Sequence, residues 1–181
     1  PGGLLLKAGD ITLRTWVLDF AADLDAPIER GKAYRYTPAR IAARAHRRAM
    51  QCCHPGMMEW QIEAEIVYVC ARAGARHQAY PPIVGGGANG CVLHYIDNRD
   101  ELRDGDLLLI DAGCELECYA SDITRTYPVN GVYSDPQRQL YELVLNAQEA
   151  AIAKVKPGNH WNEPHDAAVR TITRGLVKLG I

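Results

Sequence analysis

Residues 106–128 constrain this chain more than any other stretch. Leu107-Leu-Leu-Ile110 is a continuous apolar run, with Asp-Gly before it and Asp111-Ala-Gly113 after it. Such a run fits a strand buried on both faces or a short buried helix; its brevity and the flanking glycines favour the strand. A return strand is expected over residues 119–127, where Ile123, Thr124 and Thr126 are β-branched. Pro128 ends it, having no N–H to give to a ladder.

If this hairpin turns about Leu116-Glu117, Asp111 and Asp122 stand directly opposite each other on one face, with Cβ atoms about 4.5–5.5 Å apart. Two carboxylates facing each other at the end of an apolar strand repel, and burying them unpaired is costly. A shared proton, Arg125 or a cation would relieve the pair. Oxygen ligands suit Mn, Mg or Ca, and two-metal hydrolytic sites hold their ions about 3.5–4 Å apart, a span that bridging carboxylates fit. The plainer reading is a surface hairpin with two solvated Asp residues. Leu116-Glu117 is poor type I′ turn chemistry, and a bulge would shift the pairing.

Upstream lies Gly85-Gly-Gly-Ala-Asn-Gly90, continuing as Cys91-Val-Leu-His94-Tyr95. Strands are expected over residues 79–84 and 91–95, on either side of the glycines. This is not a phosphate loop, because it lacks the Lys-Ser/Thr ending and opens no helix. It reads either as a flexible turn or as a loop that lets a substrate backbone approach His94. A lone histidine is more often structural. After a glycine-rich turn and ahead of an acidic hairpin, His94 is a candidate for hydrogen bonding or proton transfer.

Ile110-Asp-Ala-Gly, followed by Ser121-Asp-Ile-Thr-Arg-Thr-Tyr-Pro128, resembles the metal-binding hairpin of the aminopeptidase P and prolidase group of pita-bread metallopeptidases. Asn89-Gly-Cys-Val-Leu-His-Tyr95, with Asn98 shortly after, resembles aminopeptidase P more than prolidase or methionine aminopeptidase. The resemblance runs from about Ile41 to the C-terminus. It implies an α+β, pita-bread (creatinase/aminopeptidase-like) fold, truncated to about its first half. It implies that Asp111 and Asp122 are metal ligands, that His94 contacts substrate in the active site, and that the metal is a pair of manganese ions. The implied activity is removal of an N-terminal residue from peptides whose second residue is proline. The alternatives are a non-catalytic pita-bread module that binds peptide or protein, and a prolidase-type dipeptidase or creatinase. Two departures stand out. The family carries Gly just before the Tyr of the return strand, where this chain has Cys118. The family also completes its site with a His and two Glu, one of them the general base, well downstream; this chain reaches Ile181 before those motifs, and is expected to be inactive alone.

A length of 181 residues is enough for a domain with a real core, and 48% apolar and 23% charged residues are ordinary for a globular protein. A net charge of -2 gives no argument for nucleic acid or anionic membrane. Arg40, Arg44, Arg47 and Arg48 are spaced as a solvated helix face. The sequence has no run long and apolar enough to span a membrane, and Leu4-Leu-Leu6 is too short for a signal-peptide core. A start at Pro1 suggests a fragment or a processed product. The six cysteines are expected to be reduced and mostly buried in a cytoplasmic protein. Zinc capture by Cys114 and Cys118 is a minor alternative. The partners expected are a peptide substrate, and either a second copy of the chain as a homo-oligomer or a missing C-terminal half, without nucleic acid or membrane.

Residues 1–38 are expected to form a leader or linker and 39–181 a partial pita-bread catalytic domain. Helices are expected over 39–53, with Ile41, Ala42, Ala45, Ala49 and Cys53 on one stripe, and over 59–73, with Ile62, Ile66, Val69 and Ala73 buried and Gly74 at the end. Ser134 or Asp135 caps a third helix that buries Leu140, Leu143, Val144, Ala147 and Ala151. A fourth, capped near Asn162, places Val169, Ile172, Leu176 and Leu179 on one face. His160, Glu163 and His165 at its start read as capping residues rather than metal ligands. Helix, Pro55-Gly56, helix is echoed by helix, Pro157-Gly158, helix, an internal repeat whose second copy lacks the strands of the first. That predicts a missing half, and with it an exposed apolar sheet face.

Overall fold

The computed structural model describes residues 37–181. They form two compact units, divided after Val132. The expected leader lies, but for its last two residues, outside the described residues.

The first unit opens with α1 (Pro38–Cys52). The Thr37 hydroxyl accepts from the Arg40 N–H, and Pro38 occupies the first turn, where its missing N–H costs nothing. Ile41, Ala42, Ala45 and Ala49 are buried as the periodicity predicts, and His46 is buried with them. Pro55-Gly56 then turns the chain, with Gly56 at φ +87°. In α2 (Glu59–Arg72) the buried stripe is Ile62, Ile66 and Cys70, headed by Glu59. Arg48 of α1 pairs with Glu65 of α2 at 2.8 Å, so the basic face is not merely solvated.

The two helices cover one face of the strands. β1 (His77–Gln78), β2 (Ile83–Gly86), β3 (Leu107–Ala112), β4 (Cys114–Leu116), β5 (Tyr119–Ala120) and β6 (Ile123–Pro128) form two three-stranded antiparallel sheets. Their orders are β2-β3-β6 and β1-β4-β5. The long hairpin from β3 to β6 contributes to both.

Along β3, burial alternates: Leu108, Ile110 and Ala112 are buried, whereas Leu107, Leu109 and Asp111 are half-buried. The expected strand buried on both faces is therefore buried on one. Ile41, Ile62, Ile66, Leu102, Leu108 and Ile110 form the centre of the core, each contributing about 1.5–3 kcal/mol on burial. No residue of β2, β3 or β6 is an exposed large hydrophobe. In this unit the exposed large hydrophobes include Tyr119 of β5 in the other sheet, Trp60 and Tyr68 on α2, and Val92, Leu93 and Ile96 on the loop.

The second unit is a helical hairpin, α3 (Asp135–Ile152) and α4 (Glu163–Leu179). Ser134 caps α3, and Gln137 reaches back to the Ser134 N–H. Of the stripe predicted for α3 only Ala147 is fully buried; Leu140 and Val144 are exposed. Gly175 of α4 packs so closely on Leu143 that any side chain there would collide with it. The predicted repeat is present at this level: each helix pair is joined through a Pro-Gly whose glycine is left-handed, Gly158 standing at φ +88°.

Candidate active site

The hairpin turns at Glu117-Cys118, one residue later than Leu116-Glu117. Both turn residues are left-handed, at φ +52° and +68°, as a two-residue type I′ turn requires. This register places Leu116 in β4, partly buried against the core, instead of in the turn. Asp111 consequently pairs with Thr124, not Asp122. Asp122 lies in the interruption between β5 and β6, two residues before that partner and diagonal to Asp111. The interruption is tight: a Cβ on Gly113 would meet the Ser121 carbonyl. It is held by the Ser121 hydroxyl, which accepts from the Cys114 N–H at 3.1 Å, and by the Ser121 N–H, which donates to the Cys114 carbonyl at 3.0 Å.

The two carboxylates converge through a residue that no motif in the sequence singled out. The Tyr80 hydroxyl is 2.6 Å from Asp111 Oδ1 and 3.0 Å from Asp122 Oδ1. A phenol has one proton to give, so it can satisfy only one of two ionised carboxylates at a time. Burial, then the hydrogen bonds to Asp111 and Asp122, raise the Tyr80 phenol well above its ordinary range. Arg125, expected as one remedy for the pair, stands opposite Ile110 and so on the other face from Asp111.

Behind the hairpin, His46 of α1 donates from Nε2 to the Ala112 carbonyl at 3.3 Å. A carbonyl only accepts, so Nε2 carries the proton and Nδ1 is left an acceptor. That atom is buried and has no hydrogen-bond partner among the described residues. Burial is the main cause that pushes the imidazole down to about 4, so His46 is neutral at neutral pH.

The strand expected over 91–95 is absent. Residues Gly87–Cys91 form a short 3-10 turn and His94 sits in the turn after it, exposed, at φ +55°. The loop lies on the face of Asp111: a Cβ on Gly90 would stand 3.4 Å from Leu109 Cβ, and Leu109 shares its side of β3 with Asp111. Neither expectation for the glycines, mobility or substrate approach, describes Gly85, where a Cβ would meet the Asn89 backbone at 2.8 Å. The glycine lets the loop pack on itself. No hydrogen bond among the described residues joins His94 to Asp111 or Asp122.

Other candidates separate. Cys114 is buried, but Cys118 is exposed at the turn, so the two make no zinc pair; Cys91 is exposed too, so the thiols are not mostly buried. Glu163 Oε1 accepts from the His160 N–H at 3.0 Å, which is capping. Among the described residues no group of three or more His, Cys, Asp and Glu is placed to hold a metal. Asp111 and Asp122 are the fit that exists: two carboxylates drawn to one point, an all-oxygen donor set suited to a hard divalent ion, supplying part of a coordination shell.

A model of metallopeptidase family M24 matches residues 37–180. The chain is 52% identical over 141 residues to the Xaa-Pro aminopeptidase of Escherichia coli (strain K12), covering 78% of this chain and 32% of that protein. It is 51% identical over 142 residues to the Xaa-Pro aminopeptidase of Haemophilus influenzae, covering 78% and 33%. It thus spans about a third of the length of these relatives. Among solved structures, aminopeptidase PepP of Pseudomonas aeruginosa superposes with a TM-score of 0.78 at 55% identity, over 79% of this chain and 32% of that one. A zinc-substituted E. coli aminopeptidase P in complex with product gives 0.78 at 50% identity over the same shares.

Proposed function

The chain belongs to metallopeptidase family M24, and from that premise we propose that it supplies part of the active site of a metal-dependent aminopeptidase acting on peptides with proline in second position. The reading is carried by Asp111 and Asp122 sharing the Tyr80 hydroxyl. Fold and sequence likeness to Xaa-Pro aminopeptidases support it. The mixed helix-and-sheet architecture matches those structures, in agreement with a pita-bread fold of which this chain holds a portion.

Asp111 and Asp122 would hold divalent ions, manganese by preference. When bound, such ions lower the pKa of a water and polarise a carbonyl. The chain's own contribution is positional. β3 and the Ser121 interruption fix the two carboxylates, and Gly90 packs the loop over 85–100 against Leu109 on that sheet face, from which His94, four residues on, would contact the peptide. Because the described residues offer two carboxylates and no larger ligand group, we expect this chain alone to turn over no X-Pro peptide.

The test is an assay of X-Pro tripeptide and dipeptide cleavage with manganese, using this chain alone and the corresponding full-length protein. Cleavage of tripeptides by the full-length protein, abolished by Asp111→Asn, supports the proposal. Cleavage confined to dipeptides would point to a prolidase. Loss-free turnover in Asp111→Asn would overturn the assignment.

A further inference from the structure

Glu59 is fully buried at the first turn of α2, with nothing in the proposed chemistry to use it. Its carboxylate accepts from the Gly86 N–H at 2.8 Å and the Asn89 side-chain amide at 3.0 Å on Oε1. On Oε2 it accepts from the Tyr95 hydroxyl at 2.8 Å and the Asp100 N–H at 3.0 Å. Two donors on each oxygen fill the lone pairs of a carboxylate. All of these donors come from one segment, residues 86–100, and His94 lies inside it.

We propose that Glu59 is the positioning residue for His94, the buried carboxylate around which the loop is wound into its one conformation. The geometry supports this on both sides of the histidine. Upstream, Gly86 and Asn89 fix the entry to the 3-10 turn; downstream, Tyr95 is the next residue and Asp100 closes the segment. His94 itself is left-handed, at φ +55°, a conformation that costs a non-glycine residue energy and persists only where its surroundings impose it. A second tie holds the segment's end: Asn98 accepts from the Val84 N–H at 2.9 Å and donates to the Pro82 carbonyl and to Glu63, both at 2.8 Å. Asn98 secures the strand, and Asn89 also donates to the Tyr95 hydroxyl at 3.0 Å and to Asp100 Oδ2 at 2.8 Å, but Glu59 ties both flanks of His94 to a helix outside the segment. The helix N-terminus on which Glu59 stands favours its negative charge.

The inference rests on the reading of His94 as a substrate contact, but its test does not. The imidazole resonances of His94 are followed by NMR in this chain, with those of buried His46 as a reporter of the native core. In Glu59→Gln, an amide group faces donors where the carboxylate accepted. The expected result is His94 signals shifted or split into several environments, with Gly86 and Asp100 amides exchanging at least about tenfold faster, while His46 is unchanged. Glu59→Asp, charged but one methylene short, should give an intermediate shift. Tyr95→Phe removes one donor beside His94 and carries the same readout if Glu59→Gln fails to fold. Unchanged His94 signals in a folded variant overturn the proposal. Turnover of an X-Pro peptide by the full-length protein is then compared. A displaced His94 with reduced kcat/KM, partly rescued by Asp, upholds both readings. A displaced His94 with full turnover upholds Glu59's hold on the loop and removes His94 from the reaction.

Discussion

Tyr80 gives its hydroxyl proton to Asp111 at 2.6 Å, across a separation of 31 residues in the chain. The same oxygen is within reach of Asp122, so the phenol holds together two groups that would otherwise repel. Tyr80→Phe should destabilise the metal-free chain by about 1 kcal/mol, the usual net worth of a hydrogen bond, since Asp111 is half-buried and Asp122 exposed. Manganese, which the same two carboxylates would hold, should restore most of that loss. Thermal denaturation in chelator and in manganese checks this; an equal loss in both would mean that Tyr80 only fills space.

Manganese binding should depend on both carboxylates. Calorimetric titration of the chain should show binding that Asp122→Asn weakens at least about tenfold, or roughly 1.4 kcal/mol, with circular dichroism unchanged. Binding of equal strength in the variant would place the metal elsewhere.

Cys118 is strained. It holds φ +68°, where a side chain costs about 1–2 kcal/mol and glycine costs little. Cys118→Gly should therefore raise stability, by about 1 kcal/mol or less once the added freedom of the unfolded chain is subtracted. Urea denaturation measures it. Cys118→Ala, which keeps the Cβ, should bring no such gain.

His46 makes stability depend on pH. Its imidazole is pushed from the ordinary 6.5 down to about 4, chiefly by burial. Between those values the unfolded chain binds the proton and the folded chain does not. Stability from this group therefore rises from pH 4 to 6.5 and is level above. The penalty at the acid end is about 3 kcal/mol in order of magnitude. His46→Leu should flatten the slope of Tm against pH in this window; an unaltered slope would assign it to other groups.

Much of this was legible from local pattern. Ser134 marks a helix start, Pro55-Gly56 and Pro157-Gly158 mark the turns, and the apolar spacing of Ile41, Ala45 and Ala49 or of Ile62 and Ile66 marks the buried stripes. Each signal lies within a few residues of what it specifies. The same applies to the acidic hairpin, whose two Asp residues are separated by one turn. The strand expected over 91–95 failed for the opposite reason: Val92 and Leu93 are apolar, yet the segment is bent by bonds to Glu59, which lies in a helix more than thirty residues earlier.

The sequence by itself determined the four helices and the acidic hairpin, and that Asp111 and Asp122 would share a sheet face, because side-chain alternation along a strand is fixed by the backbone. Only the tertiary structure decided how they meet. Registers centred on Leu116-Glu117 and on Glu117-Cys118 both preserve that alternation, so pattern cannot separate them. The second prevails with Leu116 in the strand against the core and two exposed residues in the left-handed turn. Tyr80, His46 and Glu59 reach the hairpin and its neighbouring loop from separate elements, and their roles exist only once hydrophobic burial has brought those elements together.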